Sequence, residues 1–365
     1  MGCLFLYFVF GLHMKKFITV VGARPQFVKA AALSKTLKDE YADNFQEKII
    51  HTGQHFDFKM SESFFEELRI PKPYINLNIN SQKYPEPTGI MMNELYNEFQ
   101  KEKPDFVLVY GDTNSTLAAA IAAGKLYIPV VHVEGGVRNL DTKVPEHFNR
   151  VLTDHASDLI FCISNDDMKN LNKEGLKDKS YKCGDIMLDT VRIFKDNINN
   201  YNNKTANRVL LTIHRNFNTD DEKTLRNIIS NVGKLNSEVD FPIHPRTRKA
   251  IDSFNISIPS NIFLHEPFSY TEMLSAIDHC KYVLTDSGGL QKEAFYFGKK
   301  AAFICHFKTF WQDLVDLGFL ITINPNESFK KYEGWLNEPA EIVSNPYGTG
   351  YASKDILETI KRRLF

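Results

Sequence analysis

The sequence has no Cys-x-x-Cys pair: its five cysteines, Cys3, Cys162, Cys183, Cys280 and Cys305, are odd in number and scattered. That excludes a disulfide framework and a structural zinc site of the usual spacing. Cys162 and Cys305 sit inside apolar runs, as buried thiols do, which fits a reducing compartment and so the cytoplasm. Neither sign of charge is in excess, since 44 Lys and Arg meet 45 Asp and Glu for a formal net charge of -1. Neither nucleic acid nor an anionic membrane is therefore expected as a partner, and an anionic substrate must be met by a local group of cations. Low-complexity blocks, heptads and short repeats are missing. So is a G-x-G-x-x-G turn: Gly348-Thr-Gly350 lacks both the third glycine and a preceding strand. A resident NAD is not expected, nor any metal or other cofactor.

Residues 1–13 are apolar but too short to span a bilayer as a helix. They lack the basic flank and small-residue cleavage site of a signal peptide, and Leu6 breaks the myristoylation pattern. Met14-Lys15-Lys16-Phe17 opens the first strand, so Met14 reads as the start and 1–13 as a dispensable leader.

A length of 365 residues suits two domains, each able to bury a core. Short apolar runs alternate with amphipathic stretches, the pattern of parallel sheets wrapped by helices. Strands are expected at 17–21, 48–51, 106–110, 130–133 and 159–163, then at 208–213, 241–243, 262–264, 282–285 and 301–305. Helices are expected near 26–40, 58–69, 88–102, 114–126, 145–156, 165–174, 221–236, 270–279, 289–297 and 353–363. The polar stretch 197–204 reads as a linker or exposed loop. The expected fold class is α/β, with two Rossmann-like doubly wound domains at 14–190 and 191–350 and a last helix in 351–365. Ligands of such folds bind at the carboxyl ends of the strands, and two domains face to face make a deep cleft.

The chemistry-bearing residues fall at those ends. Gly22-Ala-Arg24-Pro25 follows the first strand, with Lys29 one turn into the helix; this fits either a solvated helix start or a pair of cations for an anion. Asp112 can cap its helix or act as a carboxylate. Glu134 and Glu146 add two further acids at a strand tip and a helix start. Three carboxylates on one sheet edge favour separated acid and base roles. In the second half, His214 and His244 each end a strand near an arginine. Asp286-Ser287-Gly288-Gly289 runs from strand to helix, so backbone N–H groups and the helix dipole can meet a diphosphate, while Glu293 can accept from a ribose diol.

Taken in order, Gly22-Ala-Arg24-Pro25, Thr52-Gly53-Gln54-His55, Tyr110-Gly111-Asp112-Thr113, His132-Val-Glu134, Pro145-Glu146, Asn149-Arg150, Ile213-His214-Arg215, Asp286-Ser287-Gly288-Gly289 and Asn345-Pro-Tyr-Gly348 resemble the non-hydrolysing UDP-N-acetylglucosamine 2-epimerase family from about residue 15 to the C-terminus. The resemblance implies a GT-B type fold with a deep interdomain cleft, a last helix returning to the first domain, and a homodimer. It implies that Arg24, Lys29, His214, Ser287, Gly288 and Gly289 meet the diphosphate and Glu293 the ribose. It gives Asp112, Glu134 and Glu146 acid–base work at the sugar, counts His214 with the catalytic set, and relates Gln54 and His244 to a regulatory UDP-sugar site. The expected activity interconverts UDP-GlcNAc and UDP-ManNAc for surface polysaccharide precursors. Gly135 where the family usually has Ala, and His306 and Phe310 in place of Arg and Glu, are departures that bear on substrate identity. A modified substrate such as UDP-2,3-diacetamido-2,3-dideoxyglucuronate, a GT-B glycosyltransferase and a nucleotide-sugar-binding regulator are the alternatives.

The proton on an acetamido-bearing ring carbon is not acidic. One way to labilise it oxidises a neighbouring hydroxyl, which needs NAD. The other lets UDP leave the anomeric carbon, and it needs a diphosphate clamp and carboxylates, both of which this sequence supplies.

Overall fold

The apolar runs become two parallel sheets, each read most simply by itself. The structure is a computed structural model describing residues 14–54, 65, 67–80, 86–138, 142–198, 208–307, 309, 311–342 and 344–365. The leader 1–13, His55, most of the helix expected at 58–69, most of the linker at 197–204, Lys308 and Phe310 lie outside the described residues. One unit takes in the described residues up to Phe65, then Arg69–Cys183 and Ser353–Phe365; the other comprises Gly184–Ala352, with Glu67 and Leu68.

In the first unit the strands are β1 (Lys15–Val21), β2 (Phe45–His51), β3 (Ile75–Asn76), β4 (Phe106–Tyr110), β5 (Val130–Gly135), β6 (Leu159–Cys162) and β7 (Ser180–Lys182). They lie in the order β3-β2-β1-β4-β5-β6-β7, every pair parallel. Strands covered on both faces need apolar residues throughout, and all of β4 is buried. The helices α1 (Arg24–Glu40), α2 (Thr88–Glu102), α3 (Asn114–Lys125), α4 (Pro145–Ala156) and α5 (Asn165–Lys173) wrap the sheet. The alanines of α3 (Ala118, Ala119, Ala120, Ala122 and Ala123) are wholly buried in a core shared with Met91, Leu95 and Phe99 of α2.

The second sheet, of β8 (Val209–Thr212), β9 (Val239–Pro242), β10 (Ile262–His265), β11 (Val283–Thr285), β12 (Ala301–Ile304) and β13 (Leu320–Ile323), runs β10-β9-β8-β11-β12-β13, again all parallel. Around it are α6 (Ile186–Ile198), α7 (Asn216–Thr219), α8 (Glu222–Val232), α9 (Pro245–Ser253), α10 (Tyr270–His279), α11 (Gly288–Tyr296), and the short α12 (Gln312–Asp316) and α13 (Glu333–Asn337). The apolar stripe of α8, Leu225, Ile228, Ile229 and Val232, closes the core over β8 and β9.

The final helix, α14 (Ala352–Leu364), buries Ile356, Leu357 and Ile360. It is fastened to the first unit, where the Tyr41 hydroxyl donates to Glu358 at 2.8 Å and Lys354 pairs with Glu40 at 2.8 Å. Among the described residues, no helix is long and apolar enough to cross a membrane.

Both sheets reverse direction of winding at one place, between β1 and β4 and between β8 and β11. Such switch points are where doubly wound folds bind ligands. The registers, Val20 against Val109, Tyr110 against Val133 and Thr212 against Thr285, bring the neighbouring strand tips to one level.

Candidate functional site

At the first switch point, the chain leaves β1 through Gly22. A Cβ there would lie 2.2 Å from Ser115 Oγ and 2.3 Å from Thr52 Oγ1, so only glycine fits between the tip of β2 and the start of α3. Gln26, buried in the first turn of α1, ties the tips together. Its Oε1 accepts from the Gly22 amide at 2.7 Å, and its Nε2 donates to Tyr110 O at 2.9 Å and Thr116 Oγ1 at 2.9 Å. Arg24 starts the same helix and is half-buried. Gln54, after β2, accepts from the Ser115 amide at 3.0 Å and its hydroxyl at 2.7 Å.

Lys29, one turn along α1, is buried and paired with Glu134. Arg150 of α4 is also buried; it pairs with Asp112, donates to Glu134 O at 2.6 Å and lies 3.7 Å from Glu134 Oε1. Asn149 donates to Asp112 O at 3.0 Å. Burial works against the charge of Arg150, but Asp112 and Glu134 outweigh it and push its pKa up. The backbone aims these carboxylates. Gly111 has φ +64° just before Asp112, and Glu134 itself has φ +70°, a conformation that costs an L-residue on the order of 1–3 kcal/mol.

Beneath them lies a buried polar network. His132 Nδ1 is 2.8 Å from Asp154 Oδ1, and its Nε2 is 2.7 Å from Gly111 O. The other Asp154 oxygen accepts from the Gly136 amide at 3.0 Å and from Arg138 at 2.8 Å. Arg138 also makes a two-pronged pair with Glu174, both bonds 2.7 Å. Asp167, buried close to Gly136, is pushed up to about 6 by burial.

Asp112, Glu134 and Lys29 are thus gathered at one edge. Glu146 belongs to the same helix as Arg150, one turn earlier, but is exposed and not within the Asp112–Glu134 cluster.

At the second switch point Asp286 is the hub. Only 1% exposed, it accepts from the amides of His214 (3.0 Å) and Arg215 (2.9 Å) and from Asn218 Nδ2 (3.2 Å), and lies 3.1 Å from His214 Nδ1. The His214 ring, 33% exposed, stands 5.7 Å from that of His244, which caps α9. Ser287 caps α11. A Cβ on Gly289 would meet nothing within 4 Å, and one on Gly288 only Trp311 Nε1 at 3.9 Å. Packing therefore does not demand these glycines; they leave the helix N-terminus open. Trp311 fixes the turn by donating to Gly288 O at 2.9 Å, and its ring lies 4.3 Å from Lys292 Nζ. Lys292 is buried and pairs with Asp185 at 2.5 Å. Glu293 is buried in α11.

Sequence reasoning does not find the roles of Gln26, Arg150, Asp154, Asp286 and Trp311. Asp286 and Arg150 occur in recognisable motifs; nothing local signals the other three.

Two Rossmann-like units with their polar chemistry gathered at the carboxyl edges define a GT-B type α/β fold. The UDP-N-acetylglucosamine 2-epimerase family profile matches residues 37–361. The chain is 41% identical over 359 residues to a UDP-N-acetylglucosamine 2-epimerase homolog of Methanococcus maripaludis, covering 95% of this chain and 99% of that one. It is 38% identical over 357 residues to the UDP-2,3-diacetamido-2,3-dideoxy-D-glucuronate 2-epimerase of Pseudomonas aeruginosa, with the same coverage of 95% and 99%. Its fold matches the crystal structure of Methanocaldococcus jannaschii UDP-GlcNAc 2-epimerase in complex with UDP-GlcNAc and UDP, with a TM-score of 0.86, 33% identity and coverage of 95% and 99%. This chain belongs to the UDP-N-acetylglucosamine 2-epimerase family, whose members are isomerases.

Proposed function

We propose that this protein inverts the acetamido-bearing carbon of UDP-GlcNAc, interconverting it with UDP-ManNAc. The observation that carries this reading is the pair of carboxylates, Asp112 and Glu134, held at one strand edge by the buried cations Lys29 and Arg150. A base takes the proton from the acetamido carbon, its C–H electrons form the double bond to the anomeric carbon, and UDP leaves with the C–O pair. Re-addition of UDP, with a proton delivered to the opposite face, gives the epimer. Ser287, Gly288, Gly289 and His214 receive the diphosphate at an open helix N-terminus. Glu293 takes the ribose, and Glu146 joins the acid–base set from α4.

The same reading makes the protein a cytoplasmic homodimer that supplies polysaccharide precursors. The buried free thiols of Cys162, Cys280 and Cys305 support a reducing compartment. Phe148 and Leu152, exposed one turn apart on α4, offer an apolar face for a second copy. Gln54 and His244 are the candidates for regulation by UDP-sugar. A second substrate, UDP-2,3-diacetamido-2,3-dideoxyglucuronate, is favoured by the 38% identity to the Pseudomonas enzyme.

Incubation of each UDP-sugar alone in deuterated water, followed by NMR and mass analysis, tests the proposal. Deuterium should enter at the acetamido carbon, and the bridging oxygen label should scramble. Epimerised product with an unscrambled label would remove the elimination route; absence of any epimer would remove the activity.

A further inference from the structure

His132 makes two short contacts in a site with no exposed surface. Gly111 O, 2.7 Å from Nε2, is a carbonyl and can only accept. Asp154 Oδ1, 2.8 Å from Nδ1, belongs to a carboxylate whose other oxygen already accepts from Gly136 N–H and from the Arg138 guanidinium. Two donors on that oxygen hold Asp154 in its charged form, which also only accepts. A neutral imidazole carries one N–H and would set a bare nitrogen against one of these acceptors. Only a ring with hydrogen on both nitrogens satisfies both.

The charged network joined to the ring's two partners runs from Asp154 to Arg138, Glu174 and His155 on one side, and through Asp112, Arg150, Glu134 and Lys29 on the other, with Asp167 beside Gly136.

The contacts also reach the residues that carry the chemistry. His132 grips the carbonyl of Gly111, whose φ of +64° sets the direction of Asp112. Asp154 holds His132 on one side of Glu134 and the Gly136 amide on the other, so one carboxylate pins both flanks of the residue at φ +70°. Strain of that kind persists only where neighbours over-determine it. Gly135 makes room, since a Cβ there would come 2.5 Å from Asp154 Oδ1 and 3.2 Å from His132 Nδ1.

We propose that His132 is a buried, doubly protonated imidazolium and a positioning residue for the epimerisation, fixing Asp112 through Gly111 and Glu134 through Asp154. The positioning half rests on the acid–base assignment of Asp112 and Glu134; the protonation half does not.

Nitrogen NMR of the full chain carrying labelled histidine, at neutral pH, tests the protonation, with the His132 signals identified by their loss in His132→Asn. Both ring nitrogens should carry hydrogen, and a bare nitrogen overturns the imidazolium. In Asp154→Asn the side-chain amide donates to Nδ1 while its oxygen keeps the Gly136 and Arg138 bonds, so His132 should retain hydrogen on Nε2 only. Retention of both hydrogens there would also overturn the role of Asp154.

Kinetics test the positioning. Asn at 132 can reach Asp154 but not Gly111, whereas Gln reaches the Gly111 carbonyl. His132→Asn should lose about 10²-fold in kcat, the scale of a misplaced catalytic group, with KM little changed. His132→Gln should recover most of that loss. Equal kcat in wild type and His132→Asn, or a loss in KM alone, refutes positioning. An inactive wild type fails the proposed function, while the nitrogen NMR still decides the protonation of His132 by itself.

Discussion

The carboxyl edges of the two sheets solve different problems. At the first, charge is sealed in: Lys29 and Arg150 are buried against Glu134 and Asp112, and His132, Asp154 and Arg138 back them from below. At the second, charge and backbone are left accessible: His214 is a third exposed, Arg215 and Arg246 are exposed, and α11 begins with two glycines that touch almost nothing. A preorganised cluster holds catalytic groups in a fixed geometry before substrate arrives. An open helix N-terminus with exposed cations around it suits a ligand that carries its own charge. On the proposed function, chemistry and binding should therefore be separable by mutation.

The widest separation is expected at the carboxylates. Asp112→Asn and Glu134→Gln should each lower turnover by roughly 10²–10⁴-fold while UDP binding, measured by calorimetry, changes little. Ser287→Ala should do the reverse, weakening UDP binding first. Near-normal turnover in both amide variants, and in Glu146→Gln, would end the acid–base assignment.

Stability should divide along the same line. Arg150→Met leaves Asp112 without its buried partner and Glu134 with Lys29 alone, and breaking such a pair costs about 3–5 kcal/mol. In the second unit Arg246 pairs with Asp220 at 2.7 Å in solvent, and Arg246→Ala should leave the urea midpoint unmoved. Similar midpoint shifts for the two arginines would erase the contrast between sealed and open edges.

How much of this the sequence discloses follows from where the partners lie. Strand-end glycines mark Asp112, Glu134 and Ser287 locally, and the apolar runs yield the doubly wound class, because both signals occupy a few consecutive residues. The strands β3 and β7 escape, one being two residues long and the other, Ser180-Tyr-Lys182, being polar at a sheet edge. The apolar edge strand β13 and the helices α6 and α9 also go beyond what the sequence pattern is read to contain. Gln26 looks like any helical glutamine, yet bonds Thr116 across 90 positions; Asp286 reaches His214 across 72. Networks closed over such separations have no local pattern. The acid at 146 shows the opposite failing, since its helix-start position is legible while its exposed setting is not.

Two glycine substitutions give smaller effects. Gly135 sits at a register shift between β5 and β6, where a Cβ would come 2.3 Å from Ile160 Cγ2 and 2.5 Å from Asp154 Oδ1. Gly135→Ala should therefore cost about 1–3 kcal/mol through overpacking, seen as a lower urea midpoint. An unchanged midpoint would mean that the sealed edge yields more easily than its contacts imply.

Gly289→Ala carries the smallest expected change, and its sign is the sharpest test of the open edge. No atom lies within 4 Å of the added methyl, and Gly289 has no positive φ to forbid it. Alanine is the better helix former, so in the first turn of α11 it should leave stability unchanged or raise it by up to ~1 kcal/mol. If that N-terminus receives the diphosphate, the same methyl stands between the backbone N–H groups and the ligand. Affinity for UDP should then fall while the urea midpoint holds or rises, two shifts of opposite sign from one atom. Lower stability would place the glycine among the packing residues, with Gly22 and Gly135. Unchanged UDP affinity would move the diphosphate away from α11.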